Sequence, residues 1–127
     1  MNYKPLLEKP KTFFIDIDGV IFEQGKKWDD GSMPEERDCK ELPQSRKTIN
    51  CWKQDGHRIV LTTARADSYR WETEHQLKRY RIHFDVLIMG LPNGQRVLIN
   101  DKKPQEDIDT AIAINLDRDV GLGGVEL

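Results

Sequence analysis

Two aspartates, Asp16 and Asp18, stand two positions apart in the run "KTFFIDIDGVIF", Lys11 to Phe22. Phe13, Phe14, Ile15 and Ile17 read as a buried strand, and a carboxylate buried there without a partner would be expensive. Two later apolar runs also end in polar groups. "RIVLTTAR" closes on Thr62, Thr63, Ala64 and Arg65, and "RVLINDKK" on Asn100, Asp101, Lys102 and Lys103. Carboxylates gathered at one place repel, and one of them would hold its proton. A hard divalent cation removes that conflict. Mg²⁺ takes oxygen ligands, keeps several waters and joins one or two carboxylates to a substrate phosphate. The Thr63 hydroxyl and the Arg65 guanidinium then suit phosphoryl oxygens. One carboxylate can attack phosphorus and form an aspartyl-phosphate. A second can protonate the leaving group and later activate water.

The elements that must bring these residues together follow from the apolar pattern. Five β-like runs are present: Thr12 to Ile17, Arg58 to Thr63, Asp85 to Met89, Arg96 to Asn100 and Thr110 to Leu116. Most are continuous rather than alternating, which predicts strands covered on both faces of a parallel sheet. A helix is predicted over Pro43 to Asp55, with Ile49 and Trp52 on one face, Pro43 in its first turn and Gly56 as its cap. A second is predicted over Ser68 to Tyr80, with Tyr69, Thr73, Leu77 and Tyr80 at helical spacing and Asp67 or Ser68 as cap. The order β-α-β-α-β-β-β predicts a layered α/β domain with right-handed crossovers. Ligands of open α/β sheets bind outside the carboxyl ends of the strands. The carboxylates, hydroxyls and cations above converge on that edge.

The motifs together resemble the haloacid dehalogenase superfamily. "FFIDIDGVIF" is similar to its first motif, an apolar strand followed by DxDG. "IVLTTAR" resembles the second, and "VLINDKKP" the acidic fourth. The resemblance spans nearly the whole chain. It implies a Rossmann-like three-layer sandwich with a mostly parallel five-stranded sheet, order 5-4-1-2-3, and no large cap. It also implies a Mg²⁺-dependent phosphohydrolase with an aspartyl-phosphate intermediate. Carried over residue by residue, Asp16 is the nucleophile and a metal ligand. Asp18 is the general acid/base and binds the metal through its backbone carbonyl. Thr63 is the second-motif hydroxyl, with Thr62 as the alternative register, and Asp101 is the acid that holds Mg²⁺. Arg65, Arg96 and Asn100 are the expected substrate-binding residues. The chain departs from the family pattern at Leu91, where small relatives carry Lys, and at Asn100, where the fourth motif often has Asp. Losing a buried cation and its partner anion together leaves the local charge unchanged. Arg96, Lys102 and Arg65 are the candidate stand-ins for the missing Lys, with Arg96 favoured because it opens the neighbouring run after a Gly-containing turn. Small members of this kind are associated with sugar-phosphate or capsular-polysaccharide metabolism, so a sugar phosphate is the expected substrate. The alternatives are a weakened domain that binds a phosphorylated ligand or partner, and a phosphotransferase.

Competing motif readings fail on spacing. An EF-hand would need acids or amides, a glycine and a glutamate where the chain has Val20, Ile21 and Lys27. "GVIFEQGKK" is one residue too long for a Walker A loop and lacks the Ser/Thr after Lys. The 127 residues predict a single domain over 1–127, with a flap-like loop at 23–42 that carries Trp28 and a flexible tail at 121–127. The glycines from Gly121 to Gly124 could reach the site, as a similar tail does in some tetrameric relatives. Net charge −2 offers no bulk attraction to nucleic acid or an acidic membrane. No run approaches membrane-spanning length, and "MNYKPLLEKPK" lacks the apolar core of a secretory signal. Cys39 and Cys51 lack metal-type spacing and read as free thiols. The expectation is a cytoplasmic protein acting on a small-molecule phosphate ester, free to form a homo-oligomer.

Overall fold

The computed structural model describes residues 9–25, 40–104 and 108–127. Strand β1 (Thr12–Asp16) is followed by helix α1 (Ser45–Gln54), strand β2 (Arg58–Thr62), a 3₁₀ turn (Asp67–Tyr69), helix α2 (Arg70–Arg79) and strand β3 (Val86–Ile88). The strands form one open sheet in the order β1-β2-β3, and both pairings are parallel. Asp16 lies opposite Thr62, and Thr62 opposite Ile88. The last residues of all three strands therefore share one edge.

Side-chain alternation sorts the sheet into two unlike faces. Ile15, Ile59, Leu61 and Leu87 join Ile49 of α1 and Leu77 of α2 in one buried cluster. Phe13 belongs to the same face and stacks on Trp52 of α1, centroids 4.0 Å apart. On the alternate face Phe14 is 58% exposed and Ile88 39%. The described residues thus make two layers, a sheet and its helices, rather than the expected three. Both helices start later than the sequence predicts. Gln44, which precedes α1, holds φ 66° and caps without a side-chain bond. Residues 67–69 form the 3₁₀ turn ahead of α2. Gly56 closes α1 as predicted, at φ +96°, its N–H bonded to the Lys53 carbonyl.

The expected five strands are three among the described residues. Arg96–Asn100 and Thr110–Leu116 form no strand. Val97, Leu98, Ile99, Ile112 and Ile114 are exposed. Local bonds replace the ladder. The Asn100 amide donates to the Thr110 carbonyl (3.3 Å), and the Thr110 hydroxyl donates to the Asp101 carbonyl (2.5 Å). Side chains that bond nearby backbone compete with sheet pairing, and β propensity yields readily to context. Most of the expected 23–42 flap, including Trp28, lies outside the described residues.

Residues 121–127 are anchored at Leu122. Its side chain is buried in the core cluster, with Val125 packed against it. Gly121 sits at φ +82°, where an added Cβ would fall 2.4 Å from the Pro43 carbonyl oxygen. Leu122→Ala is expected to cost about 2–5 kcal/mol, the range for emptying a leucine site in a core. Thermal melting of that variant checks it, and a melting point equal to wild type would mean the segment is not seated.

Candidate active site

The turn after β1 builds the site. The Ile17 carbonyl accepts from the N–H groups of Val20 (3.3 Å), Ile21 (2.8 Å) and Phe22 (3.1 Å). Ile17, Ile21 and Phe22 are fully buried. This tight turn is pinned in the core, and Asp16 and Asp18 flank its first buried residue. Gly19 makes the reversal possible at φ +87°, a conformation that costs an L-residue roughly 1–2 kcal/mol. Its N–H donates to the Phe22 carbonyl at 2.7 Å. Gly19→Ala should lose about that 1–2 kcal/mol in chemical denaturation; no loss would mean the turn relaxes.

Asp16 ends β1 with its side chain exposed, and its Oδ1 accepts the Ile17 N–H at 3.1 Å. Surrounding protein still displaces enough water from it to push its pKa above the usual 3.8. Repulsion from Asp18 adds to that rise. The Ile17 N–H and the cations Arg96 and Arg65 act against it. Arg96 therefore stands within electrostatic reach of Asp16. Its guanidinium is steered by the Pro92 (2.7 Å) and Gly94 (2.8 Å) carbonyls.

Asp18 is held differently. Arg65 Nη2 donates to its Oδ1 at 2.7 Å and Nε to its Oδ2 at 2.9 Å, a bidentate fork. The Arg65 side chain is wholly buried and the Asp18 side chain 11% exposed. Arg65 Nη1 donates to the Thr73 hydroxyl (3.1 Å) and to Gln76 Oε1 (2.8 Å), both on α2. Arg65 was expected to bind substrate; it is instead a buried holder of Asp18. Each Asp18 oxygen keeps a lone pair for a proton or a water, because an ionised carboxylate offers about four acceptor sites.

Thr63 is buried, and its hydroxyl accepts the Arg65 N–H at 3.1 Å. Thr62, the alternative register, lies beside Asp16 and is partly exposed. Leu91 donates its N–H to the Thr63 carbonyl at 3.2 Å. Asn100 and Asp101 are exposed and tied to Thr110. No group of three His, Cys, Asp or Glu side chains suited to a metal forms among the described residues. The smaller donor set of Asp16 and the Asp18 carbonyl does fit Mg²⁺. Its oxygens are hard, and the ion tolerates few protein ligands beside its waters.

One neighbour escaped the sequence reading. Asp119 donates its N–H to the Gly19 carbonyl (2.9 Å), and its Oδ1 accepts the Gln24 N–H (2.8 Å). Arg118 Cγ would lie 3.4 Å from a Cβ on Gly19. Residues 118–119 thus brace the turn after β1, and no motif marks them. A shallow hollow lined by Lys53, Gly56, His57, Arg58 and Asp85 lies at the opposite, amino end of the strands. No helix among the described residues is long and apolar enough to cross a membrane.

No protein-family profile matches the chain, and no curated protein matches it. Two solved structures resemble it at 24% identity and a TM-score of 0.52. One is of the Pnkp1/Rnl/Hen1 complex and covers 75% of this chain and 33% of the other. The second, of the Pnkp1/Rnl/Hen1 RNA repair complex, covers 76% and 30%. A crystal structure of a Vibrio cholerae protein covers 76% of this chain and 85% of its own, at 17% identity and a TM-score of 0.48. The chain spans about a third of the length of the first two chains it matches. At such identity the likeness is one of fold.

Proposed function

We propose that the chain is a Mg²⁺-dependent phosphoester hydrolase of the haloacid dehalogenase type, acting on a small-molecule phosphate ester. The observation that carries this reading is the contrast at one strand edge. Asp16 is exposed to an incoming substrate, while Asp18 beside it is clamped by a buried arginine. A nucleophile needs access, and an acid/base needs a fixed position. A sugar phosphate is the proposed substrate class, on the strength of the sequence resemblance alone.

In this reading Asp16 attacks phosphorus in line through its Oδ2, while the Ile17 N–H steadies Oδ1. The bond from phosphorus to the ester oxygen breaks, and that oxygen takes from Asp18 a proton that Asp18 first receives from the monoanionic phosphate ester. A water then gives its proton to Asp18 and attacks the aspartyl-phosphate, releasing phosphate and restoring Asp16. Arg96 and the Thr62 hydroxyl face the transferring group's oxygens, so positioning and electrostatics supply most of the rate. Mg²⁺, held by Asp16 and the Asp18 carbonyl, would neutralise phosphoryl charge.

A second reading, a domain that binds a phosphorylated ligand without turnover, draws on the exposed Asp101 and on Leu91. The test is purified protein against sugar phosphates, nucleotides and phosphorylated peptides, with and without Mg²⁺. Mg²⁺-dependent release of phosphate supports the hydrolase. Transfer of phosphate to a sugar hydroxyl would identify a phosphotransferase, and metal binding with no turnover across the panel would favour the second reading.

A further inference from the structure

We propose that Thr73 and Gln76 of α2 are positioning residues for Asp18, acting through Arg65; the proposal rests on the hydrolase reading of Asp18. The two acceptors are three residues apart and so lie on one helix face. Both are buried. They take both hydrogens of Arg65 Nη1, at 3.1 and 2.8 Å. A guanidinium is planar, so bonds at Nη1 fix the plane in which Nε and Nη2 point. Those two nitrogens hold the two Asp18 oxygens at 2.9 and 2.7 Å. The orientation of the Asp18 carboxylate is thereby set by a helix that carries none of the other candidate residues.

Stability alone is a poor reason for this arrangement. A buried ion pair contributes little net stability against apolar residues of the same volume. Here an arginine, a threonine and a glutamine are all committed to the interior. Their chain of bonds ends on the one acid beside the exposed Asp16. The residues after β2 that carry Arg65 lead through the 3₁₀ turn into α2. Sequence periodicity puts Thr73 on the face with Leu77 but does not mark Gln76 or link either residue to Asp18.

The test uses the whole chain with two readouts. In the first, Thr73→Val combined with Gln76→Met removes both acceptors at near-constant volume. With an aryl phosphate and Mg²⁺, kcat should fall about 10- to 100-fold with KM nearly unchanged, the scale expected for a misplaced catalytic group. Thr73→Ser keeps the hydroxyl and should keep wild-type kcat. A folded double variant with wild-type kcat would overturn the proposal. The second readout needs no turnover. In a ¹⁵N-labelled protein the Arg65 Nε–H signal should be slow to exchange with water. It should move on Asp18→Asn, and should exchange quickly in the double variant. A wild-type signal that already exchanges quickly, or that ignores the double variant, overturns the proposal. If the wild-type enzyme shows no turnover while this signal responds as expected, the positioning chain stands and the hydrolase reading falls.

Discussion

Asp16→Asn is expected to remove turnover of a phosphate ester and, at the same time, to stabilise the metal-free fold at neutral pH. The loss of rate should be on the order of a thousandfold or more, because an amide cannot serve as the nucleophile. The stability gain follows from the environment of Asp16. Burial and the neighbouring Asp18 raise its folded pKa above the ordinary 3.8. The stability contributed by the protonated form is complete below that ordinary value and is lost as pH rises through the raised folded value. At pH 7 the ionised Asp16 therefore works against the fold. In the presence of a chelator, Asp16→Asn should melt higher than wild type at pH 7, and the difference should vanish as pH falls below 3.8. Full turnover in the variant would sink the nucleophile assignment. A melting difference that grows toward acid would sink the account of its surroundings.

The second large effect is expected at Arg65. Arg65→Met leaves Asp18 charged, nearly buried and without its fork, a situation that costs about 3–5 kcal/mol. For a domain of this size that corresponds to a fall in Tm of about 10–20 °C. Arg65→Lys should recover only part of the loss, because an ammonium keeps the charge but cannot reproduce the planar fork. Asp18→Asn should also destabilise, by stranding the buried guanidinium. The double variant Arg65→Met with Asp18→Asn should lose less than the sum of the two, since each single change leaves one charge unpaired. Additive losses would show that the two side chains do not depend on each other. This result would also separate a holder of Asp18 from a phosphate ligand: a residue that only met substrate would affect KM and leave Tm alone.

Much of the site was legible in the chain. An apolar run ending in Asp16, Asp18 and Gly19 declares a strand followed by a tight turn, because few other arrangements suit two acids and a glycine after Phe-Phe-Ile. The ends of β2, both helices and the glycine that closes α1 follow from the same local rules. The sequence does not decide between Thr62 and Thr63. Only the register of β1 against β2 puts Thr62 beside Asp16 and turns Thr63 inward.

The order of residues along the chain dictates local chemistry: which residues end each strand and which faces of the helices are apolar. These depend on neighbours within a turn or a few residues. Tertiary structure decided the rest. Arg65 reads as a substrate-binding cation at the end of "IVLTTAR", and only the closure of α2 over β2 encloses it with Thr73, Gln76 and Asp18. Leu122 lies in a glycine-rich terminus that looks free, and only the space near Pro43 and α1 gives it a seat. Val97 to Ile99 and Thr110 to Leu116 carry strong β signals, yet a parallel strand is stabilised by its neighbour's backbone. With Asn100, Asp101 and Thr110 bonded to one another instead, composition alone did not make them part of the sheet.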